Sequence, residues 1–280
     1  MNSLKISAFA DEYADSFEEQ LQALNQFEIT NIEIRYLNGK NISELKKDDV
    51  TEAKKMLDAY GIKVSALGSP LGKIKLDGDI ASHMETARRI FEWANILGTD
   101  LIRVFSFYAP DGKDITDMRD EVFDAFERFV LLAREYGVVL CHENEAKIYG
   151  DIPDRCKELL DHFNGELKCV FDMGNFVLEG IDPYPEAYEL LKNYIAYFHI
   201  KDALYQGAIV PAGKGDAKIK EILSAHREYA KGDFFVSLEP HLQTFSGLNA
   251  LARRSFTNPY QYSDQKAAFS DAVNKFRELV

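Results

Sequence analysis

The sequence contains no apolar run long enough to cross a bilayer, so no part of it reads as a membrane span. Cysteine is scarce: Cys141, Cys156 and Cys169 are an odd number at no zinc-like spacing. Cys141 and Cys169 lie inside apolar stretches, where a free thiol behaves as a small hydrophobe. That pattern excludes a disulfide framework and a thiolate zinc site, and it fits a reduced, cytoplasmic protein. The first residues, Met1-Asn2-Ser3-Leu4-Lys5, run straight into a strand-like segment with no signal-peptide core. Positive charge is also short: 33 Lys and Arg against 46 Asp and Glu leave a net charge of −13. Such a balance argues against a nucleic-acid phosphate backbone as main partner and fits a small-molecule ligand. No low-complexity tract or linker interrupts the 280 residues, so one domain is expected over 1–280. What the chain does have is a 46% hydrophobic content, ample for a large core.

The apolar segments recur in a rhythm. Strands are expected at Leu4–Phe9, Asn31–Arg35, Ile62–Leu67, Leu101–Phe107 and Val138–Cys141, then before Asp172, over Tyr194–Ile200 and over Phe234–Glu239. Helices fall between them. Ser16 with Glu19 makes a capping box, Asp49 with Glu52 a weaker one, and helices end at Gly61, Gly98 and Gly137. Further helices are expected around Met84–Leu97 and Asp117–Tyr136, from Asp151 or Pro153, from Pro183 or Pro185, from Asp216 to Gly232, and over Asp264–Leu279. The strands are continuously apolar, as in a parallel sheet covered on both faces. Eight strand–helix units in this length point to an α/β fold, a (β/α)8 TIM barrel. The alternative is a doubly wound open sheet, but the glycine fingerprint of dinucleotide-binding folds is missing from the first turn.

Charge arrives abruptly where four of these strands end. Val138-Val139-Leu140-Cys141 runs into His142-Glu143-Asn144-Glu145. The same shape recurs at Val170-Phe171-Asp172, Tyr197-Phe198-His199 and Ser237-Leu238-Glu239. A carboxylate at the end of a buried strand needs a partner. In a barrel, the C-terminal strand ends face one mouth, where active sites sit. Strands five to eight therefore deliver Glu143, Asp172, His199 and Glu239 to one quadrant. Each alone could serve a separate salt bridge; together they form a ligand set for one divalent metal ion. Three oxygens and one nitrogen suit Mn2+ first, with Mg2+, Co2+ or Zn2+ as alternatives.

The pattern resembles the sugar-phosphate isomerase/epimerase superfamily of xylose isomerase-like barrels. The matching pieces are Phe9-Ala10-Asp11-Glu12, Asn31-Ile32-Glu33-Ile34-Arg35, Gly68-Ser69-Pro70 and Glu143-Asn144. Also matching are Phe171-Asp172-Met173-Gly174-Asn175, His199-Ile200-Lys201-Asp202 and Leu238-Glu239-Pro240. The resemblance implies a metal on Glu143, Asp172, His199 and Glu239, with Glu143 and Glu239 also acting as acid and base. It implies an isomerase or epimerase of a sugar, keto-sugar or polyol, or a dehydratase or lyase of the inosose dehydratase type. Asn175 stands where ketose epimerases carry a histidine, Tyr205 where they carry an arginine, and Glu145 where relatives often have histidine.

Substrate contacts are expected from Asn175, Lys201, His241, Glu33 and Asn144. Asn144 has tethering the strand end as a second reading, and Glu33 could instead form a structural pair with Arg35. His142 should face away from Glu143, because neighbours in a strand point to opposite faces. Two glycine–lysine loops, Gly68–Lys73 and Pro211–Asp216, could cradle a phosphate, although such loops are usually turns and neither matches a phosphate-loop motif. The stretch from His241 to Tyr262, with Arg253 and Arg254, would cover the mouth or form a subunit contact in a homo-oligomer. Two other functions compete: an abasic-DNA endonuclease, which needs a histidine-rich three-metal cluster that six histidines hardly supply, and a non-catalytic sugar-binding barrel.

Overall fold

The computed structural model describes residues 2–243 and 259–280. Eight parallel strands form its main sheet: β1 (Leu4–Ala8), β2 (Asn31–Ile34), β5 (Lys63–Leu67), β6 (Leu101–Val104), β7 (Val139–Glu143), β8 (Leu167–Asp172), β9 (Ile195–Ile200) and β12 (Phe234–Leu238). Each pairs with its neighbour in the chain from β2 onward, and β12 pairs in parallel with β1. β1 and β2 stand side by side at the closure, where the Asn31 amide donates to the Ile6 carbonyl at 3.4 Å. This is a nearly closed (β/α)8 barrel, and the open-sheet alternative falls away.

Helices α1 (Phe17–Gln26), α2 (Lys47–Tyr60), α3 (Ile80–Leu97), α4 (Arg119–Tyr136), α5 (Pro153–His162), α6 (Met173–Leu178), α7 (Tyr188–Leu191), α8 (Ile219–Tyr229) and α9 (Gln265–Leu279) account for most of the outer layer. Ser16 accepts from the Glu19 amide, the N-cap half of the expected box, while the Glu19 carboxylate pairs with Lys266. The second cap differs from expectation: Asp49 is three residues inside α2 and reaches back to the Lys46 amide, so the helix starts earlier. Helix α3 likewise starts four residues ahead of Met84, because Asp79 caps it. Gly98 and Gly137 end α3 and α4 in the left-handed conformation, where a Cβ would clash with the backbone. Two hairpins were not expected: β3 (Tyr36–Leu37) with β4 (Lys40–Asn41), and β10 (Asp202–Leu204) with β11 (Ala208–Val210). Both follow barrel strands at the mouth.

The pleat sorts the strand residues into two sets. Ile102, Leu140, Phe171, Phe198 and Val236 face outward into one continuous core with the helices. Ala66, Cys141, Val170 and Tyr197 face inward and fill the barrel floor with Leu101, Val139 and Phe235. Two residues further along β6, β7, β8 and β9 than Leu101, Cys141, Val170 and Tyr197, the inward positions turn charged, at Arg103, Glu143, Asp172 and His199. The helix side of these strands is apolar except at His142.

Candidate metal centre

Alternation on β7 turns Cys141 and Glu143 inward and His142 outward. His142 packs on Phe126 and bonds Ser106 Oγ through Nε2 at 2.9 Å. It faces the helices. The same alternation on β8 and β9 brings Asp172 and His199 inward, and Glu239 follows the end of β12. One ligand atom from each of Glu143, Asp172, His199 and Glu239 lies within 4.8 Å of the others, and all four residues are buried. Ligand atoms opposite one another on a single ion lie up to roughly 4.6 Å apart, so little inward movement is needed. Glu143 Oε2 is buried without a hydrogen bond, with Arg103 at 3.2 Å as an ion-pair partner. The donor set, with this oxygen short of a hydrogen bond, fits a divalent cation.

His199 is held from both sides. Nδ1 lies 2.9 Å from Glu143 Oε1 and 3.3 Å from Glu239 Oε2, while Nε2 lies 3.1 Å from Glu33 Oε2. The other oxygen of Glu33 accepts from the Tyr197 hydroxyl at 2.8 Å. Glu33 therefore stands behind the imidazole with both oxygens engaged, and orients the ring rather than opening to the mouth. Phe9 packs edge-on against the same ring at 5.2 Å.

Two buried arginines brace the glutamates: Arg35, expected as a possible partner of Glu33, and Arg103, which was not singled out from the sequence. Arg103, on β6, lies 3.2 Å from Glu143 Oε2 and 3.5 Å from Glu239 Oε1, so it spans the two glutamates. Arg35 donates to Glu239 Oε1 at 2.9 Å and to Asp11 Oδ2 at 3.0 Å, with Glu12 at 3.4 Å. Both guanidinium groups lie over the Phe9 ring. One signal for Arg103 was available: it is a lone charge within Leu101-Ile102-Arg103-Val104, the argument already used for Glu143.

Carboxylates outnumber cations here. Asp11, Glu12, Glu33, Glu143, Asp172 and Glu239 are buried together with Arg35, Arg103, Lys201 and His199. Burial works against the charge of Glu143, but His199 and Arg103 outweigh it and hold the carboxyl far below its ordinary range. Glu239 is lowered likewise, burial being overcome by Lys201 and His199. Asp172 goes the other way: burial, helped by the Glu143 and Glu239 charges, outweighs Lys201 and pushes it up to about 7. His199 resists burial and is raised well above the usual histidine range by Glu143, Glu33 and Glu239. Glu12 is pushed up to about 8 by burial, against Arg35.

The remaining expected contacts fall into three groups. Asn144 is a tether: Nδ2 donates to the Asp172 carbonyl and Oδ1 accepts from the Asp172 amide, at 2.9 and 3.0 Å. Asn175 and Lys201 turn toward the quartet; the Asn175 amide donates to Asp172 Oδ1 at 2.8 Å. His241 follows Glu239 with its side chain 9% exposed, and its ring nitrogen lies 3.6 Å from Glu239 Oε1. Burial, with Lys201 and Arg35 nearby, holds its imidazole well below the usual histidine range. Tyr205 is 46% exposed, and Glu145 pairs with Lys73 at 3.2 Å. Arg253 and Arg254 lie outside the described residues.

Neither glycine–lysine loop offers its backbone to a phosphate. The amides of Ser69, Leu71, Gly72 and Lys73 donate to Leu67, Ser69, His83 and Pro70. The amides of Gly213, Gly215 and Ala217 all donate to the Asp202 carboxylate.

A family model described as xylose isomerase-like TIM barrel matches residues 21–255. The chain belongs to that family. No curated protein matches it. Among solved structures, this xylose isomerase-like barrel is similar to the probable 3-DHS dehydratase AsbF of Bacillus anthracis, at 18% identity and a TM-score of 0.73, over 98% of this chain and 99% of that one. It is similar to D-psicose 3-epimerase of Clostridium cellulolyticum H10, solved with D-tagatose, at 15% identity and a TM-score of 0.73, over 99% of both chains. A xylose isomerase-like protein of Mycobacterium smegmatis, in complex with magnesium, matches at 14% identity and a TM-score of 0.69, over 100% of this chain and 97% of that one. At these identities the likeness is one of fold. No helix among the described residues is long and apolar enough to cross a membrane.

Proposed function

We propose that the chain is a divalent-metal-dependent enzyme that moves a proton at a carbon beside the carbonyl of a sugar, keto-sugar or polyol. Isomerase or epimerase is the favoured class. The observation that carries this reading is the convergence of Glu143, Asp172, His199 and Glu239 within 4.8 Å at the barrel mouth. A divalent ion bound there would polarise a substrate oxygen and offset the surplus carboxylate charge. Mn2+ is proposed first; the magnesium complex of the Mycobacterium smegmatis relative supports a hard divalent ion.

Proton transfer falls to the chain itself. In the sheet, β8 and β9 lie between β7 and β12, so Glu143 and Glu239 reach the quartet from either side of Asp172 and His199. One can take a proton while the other returns it. Arg103 touches both and sets their spacing. The sugar-binding epimerase among the fold relatives supports a carbohydrate substrate.

A second reading is a dehydratase, in which one glutamate removes the proton and the other assists departure of a hydroxyl. It is favoured by Asn175 and Tyr205, which stand where ketose epimerases carry histidine and arginine, and by the likeness to the AsbF dehydratase. Abasic-site cleavage is not supported: His83, His162 and His226 lie on α3, α5 and α8.

The test is a screen of keto-sugars, inososes and their phosphates for Mn2+-dependent exchange of a C–H proton with solvent. Glu143→Gln and Glu239→Gln should keep the fold and lose the exchange. Full exchange in both variants would overturn the proposal.

A further inference from the structure

We infer that Lys201 is a built-in competitor of the metal: its ammonium bonds two of the three ligand carboxylates, and an entering ion has to displace it from at least one. This rests on the metal-dependent reading above. Lys201 follows His199 by two positions and so points to the same side, into the barrel. Its course is enforced by Gly174. A Cβ at position 174 would lie 2.8 Å from both Cβ and Cγ of Lys201 and 2.7 Å from its carbonyl oxygen. The missing side chain lets the lysine stem pass, and the stem carries the ammonium to the quartet rather than to the rim.

The ammonium is 2.7 Å from Asp172 Oδ2, 2.9 Å from Glu239 Oε2 and 3.2 Å from Asn175 Oδ1, which uses its full complement of donors. Asn175 is itself fixed by a bond from Nδ2 to the Asn144 carbonyl at 2.9 Å. Lys201 is 3% exposed, so this is not a solvated side chain drifting across the mouth. The consequence for the ligands is uneven. Both oxygens of Asp172 already accept protein donors, Oδ1 from the Asn175 amide and Oδ2 from Lys201. Glu239 is in the same position, with Arg35 on Oε1 and Lys201 on Oε2. Glu143 Oε2 has the Arg103 ion pair at 3.2 Å but no hydrogen bond. An ion would therefore meet a less contested oxygen on Glu143 than on Asp172 or Glu239. One cation holds the carboxylates together before the other arrives.

The experiment compares metal-stripped wild type with Lys201→Met and Lys201→Gln. Mn2+ affinity is read by calorimetry, and melting temperature is read with and without Mn2+. Both variants should bind Mn2+ at least about tenfold more tightly, because a positive charge within hydrogen-bonding reach of two ligands is gone. They should also melt lower when stripped and gain more on metal addition. Should the methionine variant not fold, the glutamine variant, which keeps a donor without the charge, carries the comparison. Affinity equal to or weaker than wild type overturns this inference alone. Absence of Mn2+ binding in all three proteins overturns it together with the metal-dependent reading.

Discussion

Glu33 Oε2 lies 3.1 Å from His199 Nε2, so a carboxylate of the second barrel strand fixes the imidazole delivered by the seventh. The bond leaves Nδ1 as the nitrogen that faces Glu143 and Glu239. Replacing Glu33 by Gln preserves the shape but removes the charge and alters the bonding to Nε2. Loss of such a partner typically costs about 10–100-fold in metal affinity. Calorimetric titration of Glu33→Gln with Mn2+ should show a loss of that size with an unchanged circular dichroism spectrum. Unaltered affinity would remove Glu33 from the site.

Arg103 is the second case. It is buried against Glu143 and Glu239, and truncation leaves two carboxylates short of a partner. Breaking a buried pair from one side costs about 3–5 kcal/mol. Arg103→Met should lose stability of that order in urea unfolding of the metal-stripped protein. Saturating Mn2+ should recover part of it, since the ion supplies positive charge to the same carboxylates.

Asn144 joins two strand ends through paired bonds to the Asp172 backbone. Asn144→Ala removes both and leaves a buried amide and carbonyl to find other partners. A cost of about 2–3 kcal/mol is expected from the lost bonds and the buried polar groups left without them. Mn2+ binding should weaken as well, because Asp172 is the ligand those bonds position. Thermal melts and calorimetry on one preparation separate the two effects.

Stability should fall in mild acid for a reason outside the site. His226 on α8 is buried against Phe198 and Phe234 and bonded to the Tyr188 hydroxyl at 3.2 Å. Burial lowers its pKa from 6.5 to about 4. Between those values the unfolded chain binds a proton that the fold refuses, so stability is full above the unfolded value and declines as pH drops toward 4. Urea midpoints measured from pH 7 to pH 4.5 should fall in the wild type. In His226→Gln the one-proton part of that slope should be missing.

The quartet was legible in the sequence because each ligand ends an apolar run, and a charge there needs a partner whatever the fold. His142 was legible for a related reason: alternation along a strand assigns faces. Arg103 escaped notice inside a strand read as uniformly apolar, although only its helix-facing row is. Asp49 was taken as a cap because its spacing to Glu52 imitates one; the backbone amide it bonds decides its place, and that is Lys46. The phosphate reading of Pro211–Asp216 could not be decided from composition. Three of that region's amides turn on the carboxylate of Asp202, a partner outside the loop.

The barrel and its four candidate ligands were thus determined by local pattern: period, glycine stops, and charges at strand ends. The roles of Glu33, Arg35, Arg103 and Lys201 were decided only by the tertiary structure. Each is one charged residue on a barrel strand or just past its end, and such a residue can orient a ligand, neutralise it or compete with a metal. Which of these it does depends on the side chains that other strands bring within about 3 Å of it, where hydrogen bonds form. Barrel closure, which sets β1 and β12 beside strands from the first half of the chain, makes that choice.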